Sequence, residues 1–177
     1  LVDGVRINDP SSPNGAFDFG ALQTGNFGRI ELLRGANSVI WGSQAIGGVI
    51  SLTSLAPTDA LSARAIAEGG SWSTVRTSAN LGGTSGPLRG SIGGGYYRTS
   101  GISALTGGSE RDGFASYSAN GRLDIALGDN AGIDLRGFYN RGRVEYDNPF
   151  GLGADALPES RNRQFVGYIG AHATLFG

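Results

Sequence analysis

The stretch Gly132-Ile133-Asp134-Leu135-Arg136-Gly137-Phe138-Tyr139-Asn140-Arg141 sorts its side chains into two unlike sets. In an extended chain successive side chains point to opposite faces. Ile133, Leu135, Gly137 and Tyr139 therefore share one face, and Asp134, Arg136, Phe138 and Asn140 share the other. The first is greasy and the second mostly polar. Working outward, the same division recurs where Arg122, Asp124 and Ala126 alternate with Leu123, Ile125 and Leu127, and where Arg76, Ser78 and Asn80 alternate with Val75, Thr77, Ala79 and Leu81. Bounded by Gly, Asn, Asp or Pro, these alternations predict six strands, near residues 62–70, 72–82, 88–99, 113–127, 131–146 and 161–176.

Such strands fit a soluble sandwich with a buried apolar face, or a membrane barrel whose apolar face meets lipid while the polar face lines the lumen. Length and polarity favour the barrel. The polar face carries Arg64, Glu68, Arg76, Arg89, Arg122, Asp124, Asp134 and Arg136 at mid-strand, and the longer strands exceed the ~5–6 residues usual in soluble proteins. The connections also differ by side. Those at Gly82–Pro87 and Gly128–Asn130 are short, whereas Ser100–Asp112 and Asp147–Ser160 are longer and fall on the opposite side. Outer-membrane barrels have short periplasmic turns and long extracellular loops.

Composition narrows the function classes. Gly supplies 32 of 177 residues without a three-residue repeat, which excludes collagen. No apolar run is long enough for a membrane-spanning helix. Fourteen basic residues, all Arg, balance fifteen acidic ones with no basic block, so no nucleic-acid partner is expected. The absence of Cys removes disulfides, zinc-thiolate sites and thiol catalysis. The one His, His172, has no identifiable Ser partner and the carboxylates do not converge, so no enzyme activity is expected. With no Met and a start at Leu1, the chain is expected to be a piece of a longer protein.

Before Pro57 the pattern changes. Apolar runs at Leu1–Ile7, Arg29–Leu33 and Val39–Leu52 are short, irregular and separated by turn-rich segments, which reads as a small mixed α/β region. Leu1-Val2-Asp3-Gly4-Val5-Arg6-Ile7-Asn8, Arg29-Ile30-Glu31-Leu32-Leu33-Arg34-Gly35 and Ser38-Val39-Ile40-Trp41-Gly42-Ser43-Gln44-Ala45-Ile46-Gly47-Gly48-Val49-Ile50 resemble the C-terminal half of the plug domain of TonB-dependent outer-membrane receptors. Two departures are Ala36, where the family usually has Pro, and Trp41, where Tyr is common. Leu1–Asn8 looks like a strand of that plug.

The resemblance implies a mainly β fold, part of a plugged transmembrane antiparallel barrel of about 22 strands, with residues 1–56 as plug and 57–177 as the first barrel strands. It implies residence in the bacterial outer membrane, contact with the lipid bilayer, and import of a scarce metal chelate or vitamin, such as a ferric siderophore or cobalamin. Energy would come from the TonB complex of the inner membrane through a preceding segment. A structural or adhesive barrel is the competing class, and the plug-like segment speaks against it.

Several residues are candidates for function. In the resembling receptors the plug loop equivalent to Asp9–Gly20 rises beneath the ligand, which points to Ser11, Ser12, Asn14 and Phe17 as polar and stacking contacts. An ordinary surface loop is the alternative. Asp147 and Asp155, with Asn148 and Glu159, offer hard oxygen ligands for Ca²⁺. Resembling cobalamin receptors bind calcium through extracellular aspartates, but the spacing here matches no calcium-loop motif, and a solvated acidic loop is the simpler reading. No resident cofactor is expected otherwise. Gly35, Gly42, Gly47 and Gly48 lack the Gly-Lys-Ser/Thr of a phosphate loop and are read as structural. Arg29, Glu31 and Arg34 are expected to tie the plug to the wall or to each other, with Glu68, Asp124 and Asp134 as wall partners. His172 is expected to line the lumen, and Tyr96, Tyr139 and Phe165 to suit an interfacial girdle.

Overall fold

The computed structural model describes residues 1–8, 17–35, 38–42, 45, 47–103, 111–146 and 159–174. Two sheets form. In the smaller, β1 (Phe27–Arg34) pairs antiparallel with β2 (Gly48–Ser54), and the four-residue helix α1 (Ser38–Trp41) lies between them in sequence. Gly48 closes this hairpin at a φ of 146°, where an added Cβ would meet the Leu33 carbonyl oxygen at 2.6 Å.

Leu1–Asn8 does not form the regular strand expected of it. Asp3 and Gly4 adopt positive φ angles of 48° and 78°, so the chain turns back and Val2 bridges Val5. Val2 also bridges Leu52 in parallel, with the Asp3 amide donating to the Leu52 carbonyl at 2.8 Å. The Asp3 carboxylate is committed as well, accepting from the Ser54 amide at 2.8 Å and the Ser54 hydroxyl at 2.5 Å.

The larger sheet is a six-stranded antiparallel meander: β3 (Ser62–Gly70), β4 (Thr74–Ser85), β5 (Leu88–Thr99), β6 (Phe114–Ala126), β7 (Ala131–Glu145) and β8 (Glu159–Ala173). Pairing follows chain order, as the alternation predicts, and β3 and β8 are the edges. One shift in bounds falls at the turn between β4 and β5. β4 runs on through Gly82–Ser85, because Gly82 and Gly83 still pair with Ser91 and Gly90, and only Gly86 and Pro87 turn the chain.

Register lines up the faces. Leu123, Leu135 and Ile169 share one row across β6, β7 and β8, and Ala119, Tyr139 and Phe165 share another. Ile92, Phe165 and Ile169 are among the exposed large hydrophobic residues of this face. On the reverse face Phe138 and Asn140 are buried under the N-terminal region. Val2, Leu52 and Phe138 form the buried apolar cluster, with Ile7, Phe17, Leu22, Phe27, Ile50 and Val166 packed around it. The N-terminal region therefore sits on the polar face of the larger sheet.

Candidate functional site

The polar face is layered, and each layer receives a different part of the N-terminal region. Nearest the long connections, register aligns Arg76, Tyr97, Ser116, Gly142 and Asn162. Residues 18–24 cross the sheet along this row. Asn162 donates to the Asp18 carboxylate at 3.3 Å, Gly142 leaves room for Ala21, the Gln23 amide donates to the Ser116 carbonyl and hydroxyl at 2.9 and 2.8 Å, and Arg76 donates to the Thr24 hydroxyl at 3.3 Å.

The next rows hold the 3₁₀ turn Thr24–Asn26. Asn26 is buried and donates to the Ser118 hydroxyl at 2.7 Å, while Asn80 donates to the Gly25 carbonyl at 3.2 Å. Beneath it β5 presents Gly93 and Gly95. A Cβ on Gly95 would stand 2.6 Å from the Gln23 Oε1, and one on Gly93 would stand 2.4 Å from the Asn80 Oδ1. Both positions thus keep the wall thin where the turn descends. Asn120 bonds the Ser54 hydroxyl at 2.5 Å, joining β6 to the end of β2.

Further from the long connections the layer is charged. Arg122 faces Arg136 across the strands, and Asp124 faces Asp134. Like charges directly opposite repel, and each Arg is compensated along its own strand: Arg122 pairs with Asp124 at 3.1 Å, and Arg136 forks onto Asp134, its Nε donating at 3.0 Å. Arg136 also donates to the Asp3 carbonyl and lies over the Tyr168 ring, 5.3 Å from its centroid. Arg89 donates to the Pro57 carbonyl at 3.0 Å, where the chain passes into the larger sheet.

Of the two arrangements expected for Arg29, Glu31 and Arg34, ties to each other or ties to the wall, Arg29 and Glu31 show the first, and the wall carboxylates Glu68, Asp124 and Asp134 pair with wall arginines instead. Glu68 pairs with Arg76 at 3.6 Å, and Asp124 and Asp134 are taken by arginines of their own strands. Arg29 and Glu31 pair with each other at 2.5 Å on an exposed part of β1. Residues two apart in a strand share a face, so Arg29–Glu31, Arg122–Asp124 and Asp134–Arg136 form without long-range alignment, while Glu68 meets Arg76 directly across the β3–β4 pairing.

Among the candidate ligand contacts, Ser11, Ser12 and Asn14 lie outside the described residues, as do Asp147 and Asp155. Phe17 packs edge-on against Phe19 at 4.9 Å and lies 6.5 Å from Phe138, so its ring belongs to the apolar contact between the two sheets. It also lines a cavity of about 310 Å³ with Phe19, Trp41, Arg6 and Asn8. Among the described residues, no group of three or more His, Asp or Glu could hold a metal ion. His172 falls on the polar face, against Gly132. The interface amides Gln23, Asn26, Asn120 and Asn140 were not singled out by sequence reasoning. The Ser116-x-Ser118-x-Asn120 alternation of small polar residues was the available signal.

Residues 1–49 match the family model described as the TonB-dependent receptor plug domain. Among curated proteins, the vitamin B12 transporter BtuB of Photobacterium profundum is 31% identical over 159 residues, covering 85% of this chain and 25% of the relative. Among solved structures, the ferripyoverdine receptor of the outer membrane of Pseudomonas aeruginosa, bound to ferripyoverdine, superposes with a TM-score of 0.62 at 19% identity, over 81% of this chain and 19% of the receptor. The FpvAI–pyocin S2 complex gives 0.61 at 18% identity, over 90% of this chain and 22% of its own. The chain thus spans about a quarter of the length of the curated relative it matches.

Proposed function

We propose, given that the chain belongs to the TonB-dependent outer-membrane receptors, that it supplies plug (1–56) and adjoining barrel wall (57–177) to a receptor that binds and imports a scarce chelate. A ferric siderophore or cobalamin is the substrate class. The observation that carries this reading is the polar seat of the N-terminal region on the wall: Gln23, Asn26, Ser54 and Asp3 bonded in order down the inner face to Ser116, Ser118, Asn120 and Arg136. A purely structural or adhesive barrel has no need of such a fitted occupant. The function is transport, not catalysis.

Residues 18–21 lie at the end of the wall nearest the long connections, by the Asn162 contact to Asp18 and the fit of Ala21 over Gly142. That height supports assigning the ligand to the segment Asp9–Gly20, with Ser11, Ser12 and Asn14 as contacts and Phe17 as its anchor in the apolar layer. Calcium is proposed as the ion held by Asp147 and Asp155 through hard oxygen ligands, and calcium dependence of ligand binding is its check. TonB is the energy-coupling partner.

The test is uptake by the host cell. Deleting the gene of the full-length receptor should abolish accumulation of either labelled cyanocobalamin or one labelled ferric siderophore; a plasmid copy should restore it, and a protonophore should block it. Unchanged accumulation of cobalamin and of every siderophore tried would leave the structural barrel as the better reading.

A further inference from the structure

The outward face of the larger sheet changes character abruptly near the long connections. Its lower rows contain no charge: Ala63, Leu81, Ile92, Gly121, Leu123, Leu135 and Ile169 are typical. Tyr96 and Tyr117 then pair directly, their rings 4.8 Å apart, beside Tyr139 and Phe165 in the adjoining row. Aromatic rings of this kind mark the level of lipid headgroups in barrels.

At and just above that level the face becomes cationic. Arg141 and Arg163 stand directly opposite each other, as do Arg143 and Arg161, and Arg98 lies on the same face across Ala115 from Arg143. Two acidic residues answer part of this charge. Glu145 and Glu159 bond Arg143 at 2.8 and 2.7 Å, and Glu159 also takes Arg161. Arg98, Arg141 and Arg163 have no ion pair or side-chain hydrogen bond among the described residues. Beside Ala115 lies a cavity of about 530 Å³ lined by Tyr96, Arg98, Arg111 and Arg143, and by the carboxylate-bearing Glu145 that already pairs with Arg143.

We propose that this patch binds the phosphorylated headgroup of a glycolipid in the outer leaflet, with Arg98 and Arg111 in the cavity and Arg141 and Arg163 beside it as phosphate ligands. Guanidinium groups match phosphate oxygens in bidentate geometry. An Arg–Arg pair directly opposite across two strands, with no carboxylate on it among the described residues, is unfavourable unless an anion bridges it, and continuity with the apolar and aromatic bands puts the patch where acyl chains end. A free phosphate ion would meet the same charges but gain nothing from those bands. The inference rests on the outer-membrane reading, which sets the wall in lipid with the long connections outward.

Purified full-length receptor titrated with diphosphorylated lipid A, and followed by native mass spectrometry, tests the proposal. Binding should weaken at least tenfold in the triple variant Arg98→Gln/Arg141→Gln/Arg163→Gln. Dephosphorylated lipid A should bind the unaltered receptor no better than the variant binds the diphosphorylated form, and Arg64→Gln, on the lumen face, should change nothing. Equal binding by the triple variant, or equal binding of dephosphorylated lipid A, overturns the proposal. Inorganic phosphate bound as tightly as the lipid overturns it in favour of a free-anion site. Chelate uptake by the same variant separates the two readings: uptake intact with lipid binding unaffected defeats this inference alone.

Discussion

Asn120, in the middle of β6, donates its side-chain amide to the Ser54 hydroxyl at 2.5 Å, and Ser54 in turn donates to Asp3 at 2.5 Å. One continuous relay thus joins wall, β2 and the N-terminal turn, with all three side chains buried. Replacing Asn120 by Ala in the full-length receptor should loosen the plug by about 1–3 kcal/mol, the cost of leaving a buried partner unsatisfied. Ser54→Ala should cost a similar amount. Because the two act in one relay, the double variant should cost clearly less than their sum, a coupling that plug unfolding in detergent would measure. Full additivity would mean the relay is not cooperative.

Neighbouring glycines of β5 should behave oppositely. Gly95 faces the plug, and a Cβ there would press the Gln23 carboxamide at 2.6 Å; Gly94 faces outward, its nearest neighbour being the Ser118 carbonyl at 3.7 Å. Gly95→Leu should therefore leave the barrel folded but unseat the 3₁₀ turn, while Gly94→Leu should be tolerated. Protease sensitivity of the plug reads the difference, and equal sensitivity would contradict the described seat.

Leu135→Arg places a charge on the lipid face and should hinder assembly, with a cost of about 2–4 kcal/mol near the bilayer midplane. Arg136→Leu should assemble better but hold its plug less well, because it orphans Asp134 and removes the bond to the Asp3 carbonyl. Yields of heat-modifiable barrel, set beside plug protection, distinguish the two effects. Similar assembly yields for both variants would remove the support for the assigned faces.

Shortening the connection Asp147–Ser160 should weaken ligand affinity and leave assembly nearly unchanged, since loop length alters closure entropy by only about 0.6 kcal/mol per doubling. Phe17→Ala should weaken affinity indirectly, by releasing the segment's anchor against Phe19 and Phe138, and should therefore raise plug protease sensitivity too. Titration on outer-membrane preparations gives the affinities. Unchanged dissociation constants in both variants would move the ligand site elsewhere in the receptor.

What could be read from the sequence was whatever depends on neighbours along the chain. Period-two alternation assigned Leu135 and Arg136 to their faces and placed six strands close to their observed bounds, because side-chain direction in a strand is a local property. The ion pairs of the charged layer also join residues two apart, and that same rule would have given them had it been applied to Asp134 and Arg136. It fails for the seat of the plug. That Gly95 lies beneath Asn26 depends on the path of residues 17–26 across five strands, from β8 to β4, which no spacing encodes. Leu1–Asn8 failed differently: its apolar pattern suits a strand, but Asp3 takes a positive φ and commits its carboxylate to Ser54, a long-range bond that outweighs local propensity.

Away from the apolar cluster around Phe138, the wall meets its occupant largely with amides, hydroxyls and bare glycines. Bonds of that kind are worth about 0.5–1.5 kcal/mol each because water offers nearly equivalent partners. That part of the joint can therefore come apart a latch at a time, every freed group rehydrating as it goes, without baring a broad oily surface that would stick to something else.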